Sequence, residues 1–305
     1  MAPWQSYAGV SVQPRQQSST RPRFSLTSDI ISFRRCRRQY GYFGNDGYIP
    51  AQTLQVFFGT VIHQVLDRCH RHYSGLIQGV PGGNIPTDAD VDTYFGEVEN
   101  ALRTQGIRPV SSNVRNQALR VIQNFNNLEG PDLYPRVIDT EYRLESDRTQ
   151  YIMRGVVDVL ADTANAEVSQ REIWDYKGTN RPNASDPILQ DYIWQMCVYA
   201  ELYRVRTGSY PLRAILYFIN ELRSDPGEPP PKRRPPRAVF EVDFSDPTVI
   251  QAALGAFDVT ANDIMNCKAQ QDWPAPSSQP DEGTCDICDL RWSCVYGPRR
   301  PRMPL

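Results

Sequence analysis

The apolar positions of the chain recur in two periods, one typical of helices and one of strands. Between residues 54 and 73, Ile62, Val65, Leu66 and Cys69 follow the i, i+3, i+4, i+7 spacing of a helix that buries one face. The remaining helices are expected at about 90–104, 112–128, 188–206 and 248–268, and after a cap at Thr27 or Ser28.

Segments rich in β-branched and aromatic residues predict strands wherever polar turns separate them. These segments are 141–145, 151–161, 172–176, 214–219 and 238–244. Because the strands are grouped between helices, we expect an α/β core with a helical insertion at about 76–135.

Two stretches lack the pattern of a folded core. Residues 1–23 are rich in Gln, Ser, Pro and Arg and predict a disordered tail, which leaves residues 24–305 as a single domain. Residues 224–237 carry too many prolines for regular structure, so we expect an exposed loop there.

The composition narrows the class of protein. With 40% hydrophobic and 22% charged residues, the 305-residue chain is ordinary for a soluble globular protein. We expect neither a membrane span nor a secretory signal, because no run of about 18 apolar residues exists and the N-terminus lacks a basic start. The formal net charge is −2, so phosphate contacts must come from local clusters such as Arg34, Arg35, Arg37 and Arg38.

Two acidic residues and a lysine lie in the predicted strands. Asp158 ends an apolar segment, while Asp175 and Lys177 are two residues apart and share one face of a strand. Two converging carboxylates form a hard oxygen site that suits Mg²⁺ or Mn²⁺. A neighbouring lysine can position or deprotonate the attacking water, which is the equipment for cutting a phosphodiester. The alternative is a surface ion pair between Asp175 and Lys177 on an edge strand.

Polar residues on the predicted helices are further candidates. His63 is either an ordinary helix histidine or a metal ligand, and His63, Asp67 and His70 could also bind a metal by themselves. Gln195 and Tyr199 are four residues apart and lie on one helix face. They are either a polar–aromatic pair at the core margin or a pair that borders the cleft and holds a phosphate or a base.

The cysteines form a ligand pattern. Seven is an odd number, which without a secretory signal argues against disulfides and for a reducing compartment. Cys285, Cys288 and Cys294 form C-x2-C-x5-C, and Cys36 is the best candidate for a fourth ligand because it lies in a short polar–aromatic segment. Cys69 and Cys197 lie in apolar helical patterns that are typical of core residues, and Cys267 is left open as a spare. Four thiolates bind either zinc or a 4Fe–4S cluster, and one ligand so distant in sequence favours the cluster.

In this order the motifs resemble the RecB-like branch of the PD-(D/E)xK nucleases, and within it the iron–sulfur members such as the small CRISPR-associated nucleases and the nuclease domain of AddB. The resemblance runs from about Phe24 to Tyr296. The matching motifs are the serine-rich opening helix from Ser25 to Cys36, G-x-x-x-H from Gly59 to His63, G-x-x-D from Gly155 to Asp158, D/E-x-K from Asp175 to Lys177, Q-x-x-x-Y from Gln195 to Tyr199, and the closing cysteines. Asp175 departs from the branch, which often has glutamate there.

The resemblance implies a fold and a set of site residues. The fold is a mixed central sheet flanked by helices, with a 4Fe–4S cluster joining the two ends of the chain. The cluster ligands that it implies are Cys36, Cys285, Cys288 and Cys294. The metal ligands that it implies are His63, Asp158, Asp175 and Tyr176. The catalytic residues that it implies are Lys177, Asp158, Asp175, Gln195 and Tyr199.

The expected function is Mg²⁺- or Mn²⁺-dependent hydrolysis of DNA, as an exonuclease on single-stranded DNA or DNA ends. The pathway stays open between repair, recombination, phage replication and CRISPR adaptation. The alternative is a DNA-binding or assembly subunit with a vestigial nuclease site. No Walker A motif is present, so a helicase would be a separate partner. CRISPR adaptation or recombination proteins are the other partners that we consider. A homo-oligomer is left open, and we expect a cytoplasmic, nucleoid-associated protein.

Overall fold

The fold is taken from a computed structural model of the 305-residue chain. The structure describes residues 6–7, 10–11, 21–45, 54–164, 170–224, 228–276, 278–280, 284–285, 288 and 294. Most of the predicted tail at residues 1–23 and most of the C-terminal cysteine segment therefore lie outside the described residues. No described helix is both long and apolar enough to cross a membrane.

A mixed six-stranded sheet forms the centre of the fold. Its strands are β3 (Arg23–Ser25), β4 (Val137–Asp147), β5 (Ile152–Asp162), β6 (Arg171–Lys177), β7 (Arg213–Phe218) and β8 (Val239–Asp243). Strand β5 pairs in parallel with β3 and antiparallel with β4 and β6, β6 pairs in parallel with β7, and β7 pairs antiparallel with β8. A separate short pair is formed by β1 (Ser6–Tyr7) and β2 (Val10–Ser11).

Helices cover both faces of the sheet. The helices are α1 (Ser32–Arg35), α2 (Arg37–Tyr40), α3 (Leu54–Tyr73), α4 (Asp88–Thr104), α5 (Ser112–Leu133), α6 (Pro187–Thr207) and α7 (Pro247–Gln270). The structure also contains two π-helical segments, Leu26–Ile31 and Gly41–Asn45, and two 3-10 segments, Tyr134–Arg136 and Ile219–Leu222. One apolar core packs α6, α7 and the N-terminal segment against the sheet, and a second packs α3, α4 and α5 against its other face.

These elements confirm the α/β fold with a mixed sheet flanked by helices. Helix α3 has the predicted bounds, and α4 and α5 lie within the predicted helical insertion. The N-terminal cap differs, because Ser25 rather than Thr27 or Ser28 accepts a hydrogen bond, from the backbone N–H of Ser28. In the proline-rich loop, the described residues 228–237 form neither helix nor strand.

The sheet is interrupted at one position on β5, and this interruption creates the opening for the site. On one edge, β3 pairs with residues 152–154 of β5 and β6 pairs with residues 159–162. The intervening segment 155–158 faces neither strand in this pairing. Val157 packs in the α6 core and Val159 in the α3 core, although alternate residues of a regular strand share a face. The chain therefore changes face at Asp158.

Candidate active site

Asp158 is the residue at which the two layers of helices meet. Its Oδ2 accepts a hydrogen bond of 2.6 Å from the backbone N–H of Tyr176 on β6, and it lies 3.2 Å from Nδ1 of His63 on α3. Burial opposes ionisation of Asp158, but His63 and the Tyr176 N–H outweigh that effect and lower its pKa. The carboxylate is thus held in its charged form, ready to bind a cation.

His63 reaches this carboxylate from the third turn of α3. Desolvation opposes its protonation, but the carboxylates of Asp158 and Asp175 prevail and raise its pKa to about 9. In the metal-free protein at neutral pH, His63 is therefore an imidazolium that is paired with Asp158. A metal ion that binds at Asp158 would take the place of that proton.

Asp175 and Lys177 point from β6 toward α6, as their spacing predicts. Nζ of Lys177 lies 2.6 Å from Oδ2 of Asp175 and donates a 2.7 Å hydrogen bond to Oε1 of Gln195. Asp175 is 2% exposed, and its burial together with the nearby Asp158 carboxylate raises its pKa. The alternative of a surface ion pair on an edge strand is therefore wrong, because the pair is buried on a strand with neighbours on both sides.

Gln195 and Tyr199 continue the polar chain along α6. Nε2 of Gln195 donates a 2.9 Å hydrogen bond to the Tyr199 hydroxyl, and both residues are buried. A side chain at Gly155 would collide with the Tyr199 ring, since a Cβ atom there would lie 2.6 Å from Cε1. The glycine of the G-x-x-D segment thus makes room for Tyr199. These contacts hold Lys177 in place and put Gln195 one hydrogen bond from it.

Glu141 on β4 joins the site, although the sequence pattern gave no indication of it. It has a φ of 49°, a left-handed conformation that is rare outside glycine. Its neighbours Thr140 and Tyr142 pair with Val159 and Val157, the residues on either side of Asp158. Ligand atoms of His63, Glu141 and Asp158 all lie within 4.8 Å of one another. Desolvation and the Asp158 carboxylate raise the pKa of Glu141. Strained backbone of this kind is often associated with functional sites.

The donor set fits a divalent cation. Imidazole nitrogen and carboxylate oxygen are the ligands that Mn²⁺ accepts, and carboxylates suit Mg²⁺. Among the described residues, Oδ2 of Asp175 is buried without a well-aligned hydrogen bond, although Lys177 is close to it. Such an oxygen gains a partner if a cation binds between Asp175 and Asp158.

The separate metal site on α3 does not form. Asp67 accepts a 2.6 Å hydrogen bond from Thr140 Oγ1, while Nε2 of the buried His70 bonds to the Tyr176 hydroxyl at 2.9 Å. Burial lowers the pKa of His70 to about 3, so it is neutral. Because His70 packs behind β6, the set of His63, Asp67 and His70 does not converge on one point.

A charged cleft with a volume of about 1000 Å³ opens beside these groups. The residues that line it include Gly59, Thr60, His63, Asp67, Glu141 and Asp158. Asp158 is therefore accessible from the cleft.

Two of the cysteines lie in the core of the protein, and Cys36 lies near the C-terminal cysteine segment. Cys69 and Cys197 are buried in the two apolar cores. Burial raises the pKa of Cys36, and the thiols of Cys288 and Cys294 are near enough to raise it further. The backbone N–H of Gln39 donates to Cys36 Sγ at 3.5 Å, and Nε2 of Gln39 donates to the carbonyl of Thr284 at 3.1 Å. The first cysteine segment thus contacts the last.

The arginines around Cys36 differ from the expected open phosphate-binding cluster. Arg35 pairs with Asp191 at 3.4 Å, and Arg37 pairs with Asp263 at 3.1 Å. The Arg34 guanidinium lies 4.8 Å from the centroid of the Trp194 ring. These three charges hold the N-terminal segment against α6 and α7, which compensates part of their attraction for phosphate.

Comparison with known proteins places the site in a family. A model of the PD-(D/E)XK nuclease superfamily matches residues 25–295. The chain is also similar to the crystal structure of a protein named "Putative exonuclease" from Eubacterium rectale, with a TM-score of 0.52, 14% identity and coverage of 97% of each chain. At this identity the likeness concerns the fold. No curated protein matches the sequence.

Proposed function

The chain belongs to the PD-(D/E)XK nuclease superfamily, and from this premise we propose that it is a Mg²⁺- or Mn²⁺-dependent deoxyribonuclease that acts as an exonuclease on single-stranded DNA or DNA ends. The observation that carries the proposal is the grouping of His63, Asp158, Asp175 and Lys177 around one point. Of these residues, His63 and Asp158 line the cleft. The name of the Eubacterium rectale protein supports an exonuclease.

The residues that would hold the cation are His63, Glu141, Asp158 and Asp175, with Tyr176 as a further candidate through its backbone. When bound, the cation would supply a Lewis acid that polarises the scissile phosphate. Asp158 is fixed for this role by the Tyr176 N–H. Its orientation therefore requires no rearrangement when the substrate arrives.

Lys177 would act on the phosphate and the attacking water. Its Nζ is held between Asp175 and Gln195, and it lies 4.3 Å from the centroid of the Tyr192 ring. A fixed positive charge at this point stabilises the negative charge that develops on the phosphate oxygens. Gln195 and Tyr199 would act through Lys177, as residues that position it.

We also propose that Cys36, Cys285, Cys288 and Cys294 hold a 4Fe–4S cluster. The donor set fits, because four thiolates are the usual ligands of such a cluster. Two observations support these four ligands. The thiols of Cys288 and Cys294 are close enough to Cys36 to raise its pKa, and Gln39 forms a hydrogen bond with Thr284. The proposed role is structural, fastening the N-terminal segment to the C-terminal one.

The test is a cleavage assay on single-stranded DNA blocked at either the 5′ or the 3′ end, with Mg²⁺, Mn²⁺ or a chelator. We expect metal-dependent loss of nucleotides from one end and at least about a thousandfold slower cleavage for Asp175→Ala. Asp162→Ala is the matched control, because Asp162 ends the same strand as Asp158 and pairs with Arg171 outside the site. DNA binding without cleavage in the parent protein would favour an assembly subunit instead. Separate helicase or adaptation partners would then be sought by capture on that DNA.

A further inference from the structure

A second, uncharged pocket lies on the other side of Gly59 from the catalytic cleft. Its volume is about 300 Å³, at the small end of the range for ligand sites, roughly 300–1000 Å³. The described residues that line it are Phe58, Gly59, Val114, Gln117, Gly178, Thr179 and Asn220. Gly59 borders both spaces, and Gly178 directly follows the catalytic Lys177. The pocket is therefore a direct neighbour of the proposed catalytic centre.

The walls of this pocket differ in chemistry from those of the cleft. The cleft carries ionisable groups such as His63, Glu141 and Asp158, which suit a cation and a phosphate. The residues that line the pocket are uncharged, with one aromatic ring and two primary amides. A ligand part that fits here is flat, neutral and able to both donate and accept hydrogen bonds.

The amides are held in place by the helical insertion. Nε2 of Gln117 on α5 donates a 2.9 Å hydrogen bond to Oδ1 of Asn220, whose own Nδ2 donates to Asn180. A primary amide has a second N–H and a carbonyl oxygen with two lone pairs. Each amide can therefore form further hydrogen bonds in addition to these. Nδ2 of Asn124 further ties α5 to the same 3-10 segment through the Leu222 carbonyl at 2.9 Å. The insertion thus builds one wall of the pocket.

The glycines keep the pocket open. A Cβ atom at Gly59 would meet nothing within 4 Å, so the helix leaves space at this position. Glycine inside a helix costs about 1 kcal/mol relative to alanine. A Cβ atom at Gly178 would approach Phe58 Cδ1 to 3.2 Å, so the glycine allows the ring to lie against the end of β6. The side chain of Phe58 is half-buried, with part of its surface open.

We propose that this pocket binds a nucleobase of the substrate strand, adjacent to the phosphate that is cut. The inference rests on the proposed nuclease function and names the part of the substrate that the helical insertion recognises. Phe58 stacks on the base, and Gln117 and Asn220 bond to its edge. Base–aromatic stacking tolerates every base, whereas amides discriminate between base edges. The pocket thereby selects an unpaired base over one inside a duplex.

The experiment is a coupling cycle between protein and DNA, measured by fluorescence anisotropy of a labelled single strand at fixed salt with Ca²⁺ in place of Mg²⁺. One abasic site is moved along the strand, and each strand is bound to the parent, Phe58→Leu and Gln117→Leu. Gln123→Leu is the matched control, because Gln123 is an amide of the same helix that bonds to the Asp88 carbonyl outside the pocket. Melting temperatures identify any variant that fails to fold, and Asn220→Ala then replaces it.

We expect one abasic position to weaken parent binding by about tenfold or more, the effect of losing one stacked base. Phe58→Leu and Gln117→Leu should weaken binding to the intact strand. In these variants, the same abasic site should cause little further loss of affinity. Gln123→Leu should behave as the parent. The proposal would be overturned if the loss of affinity from the protein variant and the loss from the abasic site simply multiply, as they do for independent sites. It would also be overturned if no abasic position weakens binding to the parent protein. Coupling between the pocket and the abasic site without any cleavage in Mg²⁺ would support the base-binding pocket and contradict the nuclease function. The failure of one proposal can therefore be distinguished from the failure of the other.

Discussion

Nδ1 of His63 lies 3.2 Å from Oδ2 of Asp158, so a helix and a strand from different parts of the chain form an ion pair at the proposed metal site. The pair raises the pKa of His63 to about 9 against the opposing effect of desolvation. The ring is therefore charged below that pH and neutral above it. A cation needs the neutral ring, so metal binding competes with the proton.

We accordingly predict that Mn²⁺ binding at pH 7 releases about one proton from His63. Affinity should rise by up to about tenfold per pH unit and level off above the pKa of His63. Calorimetry in two buffers of different ionisation enthalpy measures the proton count. His63→Asn should bind more weakly and release less, and an unchanged proton count in this variant would show that the proton comes from elsewhere.

Glu141 adopts its left-handed conformation at a cost of about 1–3 kcal/mol. We predict that Glu141→Gly relieves this strain, so the metal-free variant melts at the same or a higher temperature. The rise in melting temperature on adding Mn²⁺ should shrink, because that rise follows the affinity of the ion. Glu145→Gly is the control on the same strand, where Glu145 pairs with Arg23 at 3.3 Å. A full Mn²⁺ response in Glu141→Gly would exclude this carboxylate from the site.

Replacement of Cys288 tests the proposed cluster. Parent protein purified without oxygen should be brown, with iron and sulfide in near-equal amounts. Cys288→Ala and Cys36→Ala should lose the colour, melt earlier and bind single-stranded DNA more weakly, because ligation stabilises the join between the chain ends. Cys69→Ala and Cys197→Ala should keep the iron, since both thiols are buried in apolar cores. A colourless, zinc-loaded parent that is fully folded would rule the cluster out.

Cleavage at saturating DNA separates the two possible roles of the cluster. A structural cluster predicts that Cys288→Ala still cuts once enough DNA is bound. Unchanged melting temperature and affinity together with no cleavage would instead indicate that the cluster takes part in the chemistry.

The burial of His70 makes the stability of the protein depend on pH. In the unfolded chain His70 takes a proton below its ordinary pKa of 6.5, whereas burial lowers its folded pKa to about 3. The free energy of unfolding therefore falls as pH decreases between these values, by about 1.4 kcal/mol per unit. The free energy of unfolding can be measured in urea at pH 7 and at pH 5. Its decrease between these pH values should be smaller by about 2 kcal/mol in the double variant His70→Phe, Tyr176→Phe than in the parent protein. Equal decreases in both proteins would refute a neutral buried His70.

Periodicity predicted those parts of the site that lie in regular elements. The 20-residue α3 was predicted with its bounds because its apolar positions follow one helical stripe. Asp175 and Lys177 were predicted to share a face because β6 is a regular strand. In each case the local geometry alone decides where the side chain points.

The sequence could not predict features that depend on irregular geometry or on distant partners. Glu141 lies within an ordinary strand pattern, and its left-handed φ leaves no compositional mark because the residue is not glycine. The change of face between Val157 and Val159 is likewise invisible in the sequence, because apolar residues stand on both sides of Asp158. The pairing of Arg35 and Arg37 with acidic residues requires the tertiary fold, so a basic cluster in sequence overstated the free positive charge.

The pairing of β3 with β5 has a consequence for the growing chain during synthesis, because it joins segments that are far apart in sequence. Arg23 pairs with Ile152, a separation of 152 − 23 = 129 residues. Contacts between residues so far apart in sequence form late in folding, because the entropy cost of closing a long loop comes before the contacts stabilise the fold. A nascent chain that ends before β5 already carries His63 but lacks Asp158, Asp175 and Lys177. Such a chain would therefore contain only one of the four residues on which the proposed nuclease site depends.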